Sequence, residues 1–180
     1  MRGRGSHGER GAAVLEFALV GMLLFTLLFG IVEYGYQYNN FQAVRQGVRE
    51  GARQGVVNDA ADCLMPEIAN VSARKVMCTT RARVAETSSV DDTDVITALR
   101  VKVPVEPGPG AYGQMVVCAQ YQMRSLTGLM APFTNGRWLR SRVQMRIERP
   151  QQAVDFPAGT TTRASQTASG ADWSWCGDPS

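Results

Sequence analysis

The chain has one histidine, His7, in 180 residues. None is left in the body of the chain to act as a general base or metal ligand, and no nucleophile motif stands in for it. An enzyme is not expected, and neither is a cofactor. Net charge is also scarce: 19 basic residues against 16 acidic ones give +3, too little for the electrostatic footprint of a nucleic-acid partner. Arg2, Arg4 and Arg10 against Glu9 account for two of those three charges, so the positive bias sits at the very N-terminus. Cysteine is limited to Cys63, Cys78, Cys118 and Cys176, with no C-x-x-C pair among them, which argues against zinc.

Charge is absent for a long stretch near the start. From Arg10 to Val32 the sequence reads RGAAVLEFALVGMLLFTLLFGIV, with Glu16 as its only charge beyond Arg10. A bilayer core needs about 20 apolar helical residues, and residues 12–32 supply them. A secretory signal peptide also has a basic start and an apolar core. Here, however, the leader is polar and glycine-rich, the run is long, and IVEYGYQY follows in place of a small-x-small cleavage site. Basic residues flanking an apolar segment stay in the cytoplasm. The N-terminus is therefore expected inside and everything after Tyr36 outside, where the four cysteines can form lasting disulfides. Four cysteines allow three connectivities. Cys63 with Cys78 closes the shortest loop, and Cys118 is the first choice of partner for Cys176.

A carboxylate inside an apolar helix is costly and calls for a cation. Glu16 lies five residues past Gly11. Cleavage after Gly11 would place a new α-amino group on Ala12, one helical turn from Glu16 and, in a stack of helices, near the Glu16 of a neighbour. Such a pair would set the axial register between subunits. The other reading is an uncleaved anchor whose Glu16 snorkels to the cytoplasmic interface.

Gly11, Ala12, Glu16 and Phe17, with Gly30, Ile31, Glu33, Tyr34 and Gly35 at the helix exit, resemble the N-terminal signature of the TadE family. These are minor pilins or pseudopilins of the tight-adherence (Tad, Flp pilus) machinery. The resemblance covers about 45 residues. It implies cleavage between Gly11 and Ala12 by a prepilin peptidase, with other Tad pilins and pseudopilins, an inner-membrane assembly platform and membrane lipid as partners. One departure stands out: family members usually carry proline near position 22, where this chain has Gly21 and Met22.

Beyond the membrane, Phe41, Val44, Val48 and Ala52 recur at helical spacing, so the helix is expected to continue over 37–57. Ala43, Gly47, Gly51 and Gly55 form a second row four residues apart. Each glycine loses about 1 kcal/mol against alanine in a helix, so something must pack closely on this stripe. Either the chain's own sheet or second helix lies there, or a neighbouring subunit's helix does. A second helix is expected over about 62–78 from Leu64, Ile68 and Val71. The segment TSSVDDTD, 87–94, reads as a solvated turn, since it lacks the glycine and final glutamate of a calcium loop.

Alternation predicts three strands, over about 95–105, 114–124 and 138–148, in an antiparallel sheet with one wet face. Pro104 suggests that the first is an edge strand. Gly108, Gly110 and Gly113 spell G-x-G-x-x-G, but a strand and not a helix follows, which excludes a phosphate-binding fingerprint; EPGPGAYG reads as a hairpin loop. Residues 126–136, LTGLMAPFTNG, are apolar enough to cover the core or touch a partner. Residues 151–180 are rich in Thr, Ala, Ser and Gly and read as a mobile tail, with Cys176 as a local anchor.

The expectation is thus an α+β protein. A basic leader (1–11) and a transmembrane helix (12–36) precede an outward-facing domain (37–150), in which the long helix packs on an antiparallel sheet of three to four strands. Its expected role is a minor pilin in the cytoplasmic membrane, available for incorporation in an extracellular pilus. The alternative is a permanently anchored envelope protein with an outward-facing binding domain.

Overall fold

The computed structural model describes residues 7–57, 63–105, 112–147, 156, 159–168 and 170–179. Helix α1 (His7–Val57) has 51 residues and so is about 76 Å long at 1.5 Å per residue. It contains no proline, and the helix runs unbroken through Gly21 and Met22. Thr26, the hydroxyl residue in the apolar run, turns its Oγ1 back onto the Met22 carbonyl at 2.8 Å, which satisfies its donor within the helix.

The first part of α1 stands clear of everything else. No residue from 11 to 32 is buried, and this segment is long and apolar enough to cross a membrane. Burial begins at Glu33 and Asn40 and then follows the helical period through Ala43, Val44, Val48 and Ala52. Each fully buried valine contributes about 1.5–3 kcal/mol by leaving water. One helix therefore serves as a bare stalk in its first half and a core element in its second.

Helix α2 (Val71–Thr87) starts later than the spacing predicts. Pro66 disfavours helix at the residue before it, and Asn70 is the stronger start signal: its Oδ1 accepts the Ala73 N–H at 2.8 Å as an N-cap. Residues 63–70 instead form a strap in which Met65 and Ile68 are buried while Leu64 is exposed. Of the residues whose spacing suggested a helix there, Leu64 and Ile68 lie on this strap and Val71 opens α2. At the far end, the Ser88 hydroxyl donates to the Val84 carbonyl at 2.7 Å.

The sheet has four antiparallel strands: β1 (Ile96–Lys102), β2 (Gly113–Gln122), β3 (Trp138–Ile147) and β4 (Thr161–Ser165). Their order is β3-β2-β1-β4. Between β2 and β3 lies a single-turn helix, α3 (Ala131–Thr134). Leu99 faces Val117 and Ala164, Val117 faces Val143, and Val101 faces Met115. These residues share the face that packs on Val44, Val48, Val76, Met77 and Val84 of the helices.

Two expectations about the sheet are corrected. Pro104 does not mark an edge, because it lies beyond Lys102, the last residue of β1, and β4 pairs along the outer side of that strand. The second face is not simply wet either. Ala98, Val116 and Cys118 are buried there beneath Cys176, with Trp173 and Trp175 packed against them. Gln120 is buried on the same sheet, held by Arg140 Nε at 3.2 Å and by its own donation to the Asp172 carbonyl at 3.3 Å.

The sequence reads 151–180 as a tail, yet Thr161–Ser165 is the fourth strand and the segment after it is bound down. Gln166 accepts from the backbone N–H and hydroxyl of Thr97 at 2.9 and 3.0 Å. Trp173 Nε1 donates to the Gln166 carbonyl at 2.9 Å. Residues 151–155 and the expected hairpin loop at 106–111 lie outside the described residues.

Candidate functional site

Gly11, Ala12, Glu16 and Phe17 lie on continuous helix. All four are exposed. Ala12 and Glu16 are four residues apart, so they share one helix face about 6 Å apart along the axis. Among the described residues Glu16 has no ion-pair or hydrogen-bond partner, and a Cβ on Gly11 would meet nothing within 4 Å. The head sits at the other end of the apolar run, so a counter-charge for Glu16 has to come from the N-terminus or from another molecule.

At the exit of the run, Glu33 is 2% exposed and locks stalk to head. Its Oε2 accepts the N–H of Leu126, the N–H of Thr127 and the Thr127 hydroxyl, each at 3.1 Å. One turn further, Gln37 Nε2 donates to the Arg124 carbonyl at 2.7 Å, while its Oε1 accepts the Tyr121 hydroxyl at 3.4 Å. Burial pushes the Tyr121 phenol up to about 12. A buried carboxylate is tolerated only when fully hydrogen-bonded, and here backbone donors supply the bonds. Sequence reading placed Glu33 in a family motif but gave it no role. The missed signal was a carboxylate at the last turn of an apolar run, the position where a helix must grip whatever follows.

The glycine row is accounted for within the chain. A Cβ on Gly47 would overlap Val84, and one on Gly51 would overlap Thr80. At Gly55 it would stand 2.6 Å from a Val76 methyl. Val76, Thr80 and Val84 are themselves four residues apart, so two helical rows interlock, antiparallel, along the α1–α2 seam. Gly47, Gly51 and Gly55 are therefore not free for a neighbouring subunit; of the expected packing residues, only Glu16 stays exposed.

All four cysteines are paired. Cys63–Cys78 ties the strap to α2, and Cys118–Cys176 ties the C-terminal segment to the centre of the sheet, with Cα–Cα distances of 5.8 and 6.0 Å. A groove on the head, lined by Gly47, Arg49, Glu50, Arg83 and Val143 among others, is open and carries no nucleophile beside a base. Among the described residues no group of three His, Cys, Asp or Glu side chains converges to hold a metal.

No curated protein and no solved structure matches the chain. A family model does, over residues 11–53, and its description is TadE-like protein. The match spans the Gly11–Glu16 spacing, the apolar run, the Glu33 exit and most of the glycine row, and along this helix the chain is similar to TadE-like proteins.

Proposed function

We propose that this chain is a minor pilin, or pseudopilin, of a Tad-type system. The observation that carries the reading is the division of α1: a bare apolar half with Glu16 exposed five residues past Gly11, and a second half built into a disulfide-bonded head. The stalk spans the cytoplasmic membrane with the N-terminus inside, as the basic leader favours, and the head lies outside. A prepilin peptidase cuts between Gly11 and Ala12. The glycine weakens the helix at the cut by about 1 kcal/mol relative to alanine, which helps the peptide open into a protease site. The new ammonium of Ala12 then pairs with the Glu16 of an adjoining pilin. By family analogy the partners are other Tad pilins and an inner-membrane platform, and the product is an Flp pilus used in adherence or secretion.

The reading is tested in cells that lack the chain. Loss of piliation and surface adherence is expected, restored by the wild-type chain but not by Glu16→Ala present in the membrane at the wild-type level. Full restoration by Glu16→Ala would remove the assembly role of that carboxylate. Unchanged piliation without the chain would favour a permanently anchored envelope protein instead.

A further inference from the structure

The segment 126–136 joins β2 to β3 and reaches the end of the apolar span. Met130 Cε would stand 3.9 Å from a Cβ on Gly30, and Gly30 lies three residues, about 4.5 Å, before Glu33 along the helix. Residues 12–32 span about 31 Å, the thickness of a bilayer core. If that run crosses the membrane, the loop lies at the level of its last turn.

Two features set this loop apart from a solvated one. Between Arg124 and Arg137 it carries no charged side chain, and its large apolar residues face outward: Leu126 is 57% exposed, Leu129 47% and Phe133 65%. Most of its backbone N–H groups, by contrast, are bonded internally. The Leu126 and Thr127 N–H groups go to Glu33, and those of Gly128 and Leu129 to the hydroxyls of Ser125 and Thr127. Residues 133–135 donate to the carbonyls of Met130 and Ala131. N–H groups bonded within the loop beside exposed apolar side chains suit a partly dehydrated boundary, where an unpaired donor is costly. On the exposed face of α1, Tyr34, the residue after Glu33, stacks on Tyr38 with ring centroids 6.2 Å apart, the amphipathic rings that favour a headgroup layer.

We propose that residues 126–136 form a membrane foot, in which Leu126, Leu129 and Phe133 enter the headgroup–acyl boundary of the outer leaflet and seat the head on the bilayer that α1 crosses. The inference rests on the membrane-spanning reading of the stalk and adds a second point of contact, fixed to the first by Glu33. Apolar patches of this kind, continuous with a membrane span, find in lipid a partner that buries them.

The test uses the full chain in vesicles of phosphatidylethanolamine and phosphatidylglycerol. All four native cysteines are disulfide-bonded, so one added cysteine takes a single nitroxide label: Leu129→Cys, Phe133→Cys, Leu23→Cys in the span, or Arg83→Cys on the head. Collision with oxygen and with a water-soluble nickel chelate then reports depth. Labels at 129 and 133 should be shielded from nickel and open to oxygen, as at 23, whereas the label at 83 should be open to nickel. Nickel access at 129 and 133 with a shielded label at 23 overturns the foot alone; nickel access at 23 as well overturns the spanning reading. Shielding from both reagents, with spin–spin broadening that disappears on dilution with unlabelled chain, would assign the loop to a second copy and also overturn the foot.

Discussion

Oε2 of Glu33 accepts both the N–H and the hydroxyl of Thr127, each at 3.1 Å, across 94 residues of sequence. Glu33→Ala removes the acceptor of the Leu126 and Thr127 donors, at about 1 kcal/mol for each of these part-buried hydrogen bonds. The expected result is a lower melting temperature of the head and faster amide exchange at 126 and 127, with the helix content of the stalk unchanged. Glu33→Gln keeps one acceptor oxygen and should fall between the two. Unchanged exchange in Glu33→Ala would mean that the junction does not depend on this carboxylate.

Gly51 and Thr80 meet where the α1 and α2 rows cross, and Thr80 is fully buried with its Oγ1 bonded to the Val76 carbonyl at 2.8 Å. Gly51→Ala should destabilise the head by about 1–3 kcal/mol through overpacking, although alanine is the better helix former. Thr80→Ala made in the same chain should recover part of the loss, because it removes the atoms that clash. Urea unfolding of both single variants and the double variant measures the coupling. Gly21→Ala, with nothing within 4 Å, should show no such penalty.

Cys118–Cys176 closes a span of 58 residues, and on the chain-entropy account a loop of that length is worth about 4 kcal/mol. Replacing both cysteines with alanine should lower stability by an amount of that order and make residues 170–177 accessible to protease, exposing Ala98 and Val116 on the second face of the sheet. Mass mapping of the first cleavage sites checks this. A protease-resistant C-terminus in the double alanine variant would show that the Trp173 and Gln120 contacts hold the segment alone.

Tyr121 supplies a pH test. Its phenol titrates at about 12 in the folded head because it is buried, against about 10 in an unfolded chain. The folded state therefore favours the neutral form. Its contribution is fully present below pH 10 and is lost as the pH rises toward 12. Melting temperatures of the wild type and Tyr121→Phe should run parallel below pH 10 and converge above it, whereas curves parallel throughout would contradict the burial of this hydroxyl.

The legible parts of the chain were those in which one side-chain property repeats. An uncharged run long enough for a bilayer, the Gly11–Glu16 spacing, and alternation in the segments around Leu99, Val117 and Val143 each announce themselves without knowledge of the fold. The spacing of Gly47, Gly51 and Gly55 showed that something approaches closely, but α2 had to be placed before the partner could be named. Three features gave no periodic signal. Thr161–Ser165 is short and polar, and it is a strand because β1 offers an open edge. The start of α2 was misread because Leu64, Ile68 and Val71 mimic helical spacing while Pro66 and Asn70 decide the backbone. Glu33 acts through backbone donors at 126 and 127, and such donors are the same for any sequence.

The central claim, that this chain is a prepilin matured at Gly11, is tested most directly by the N-terminal sequence and non-reduced intact mass of protein made with and without its cognate peptidase. The account predicts a start at Ala12 that requires the peptidase and is lost in a Gly11→Ala variant unable to be cut, with both disulfides intact. A chain still beginning at Met1 in the presence of an active peptidase would contradict it, as would a start beyond Tyr36.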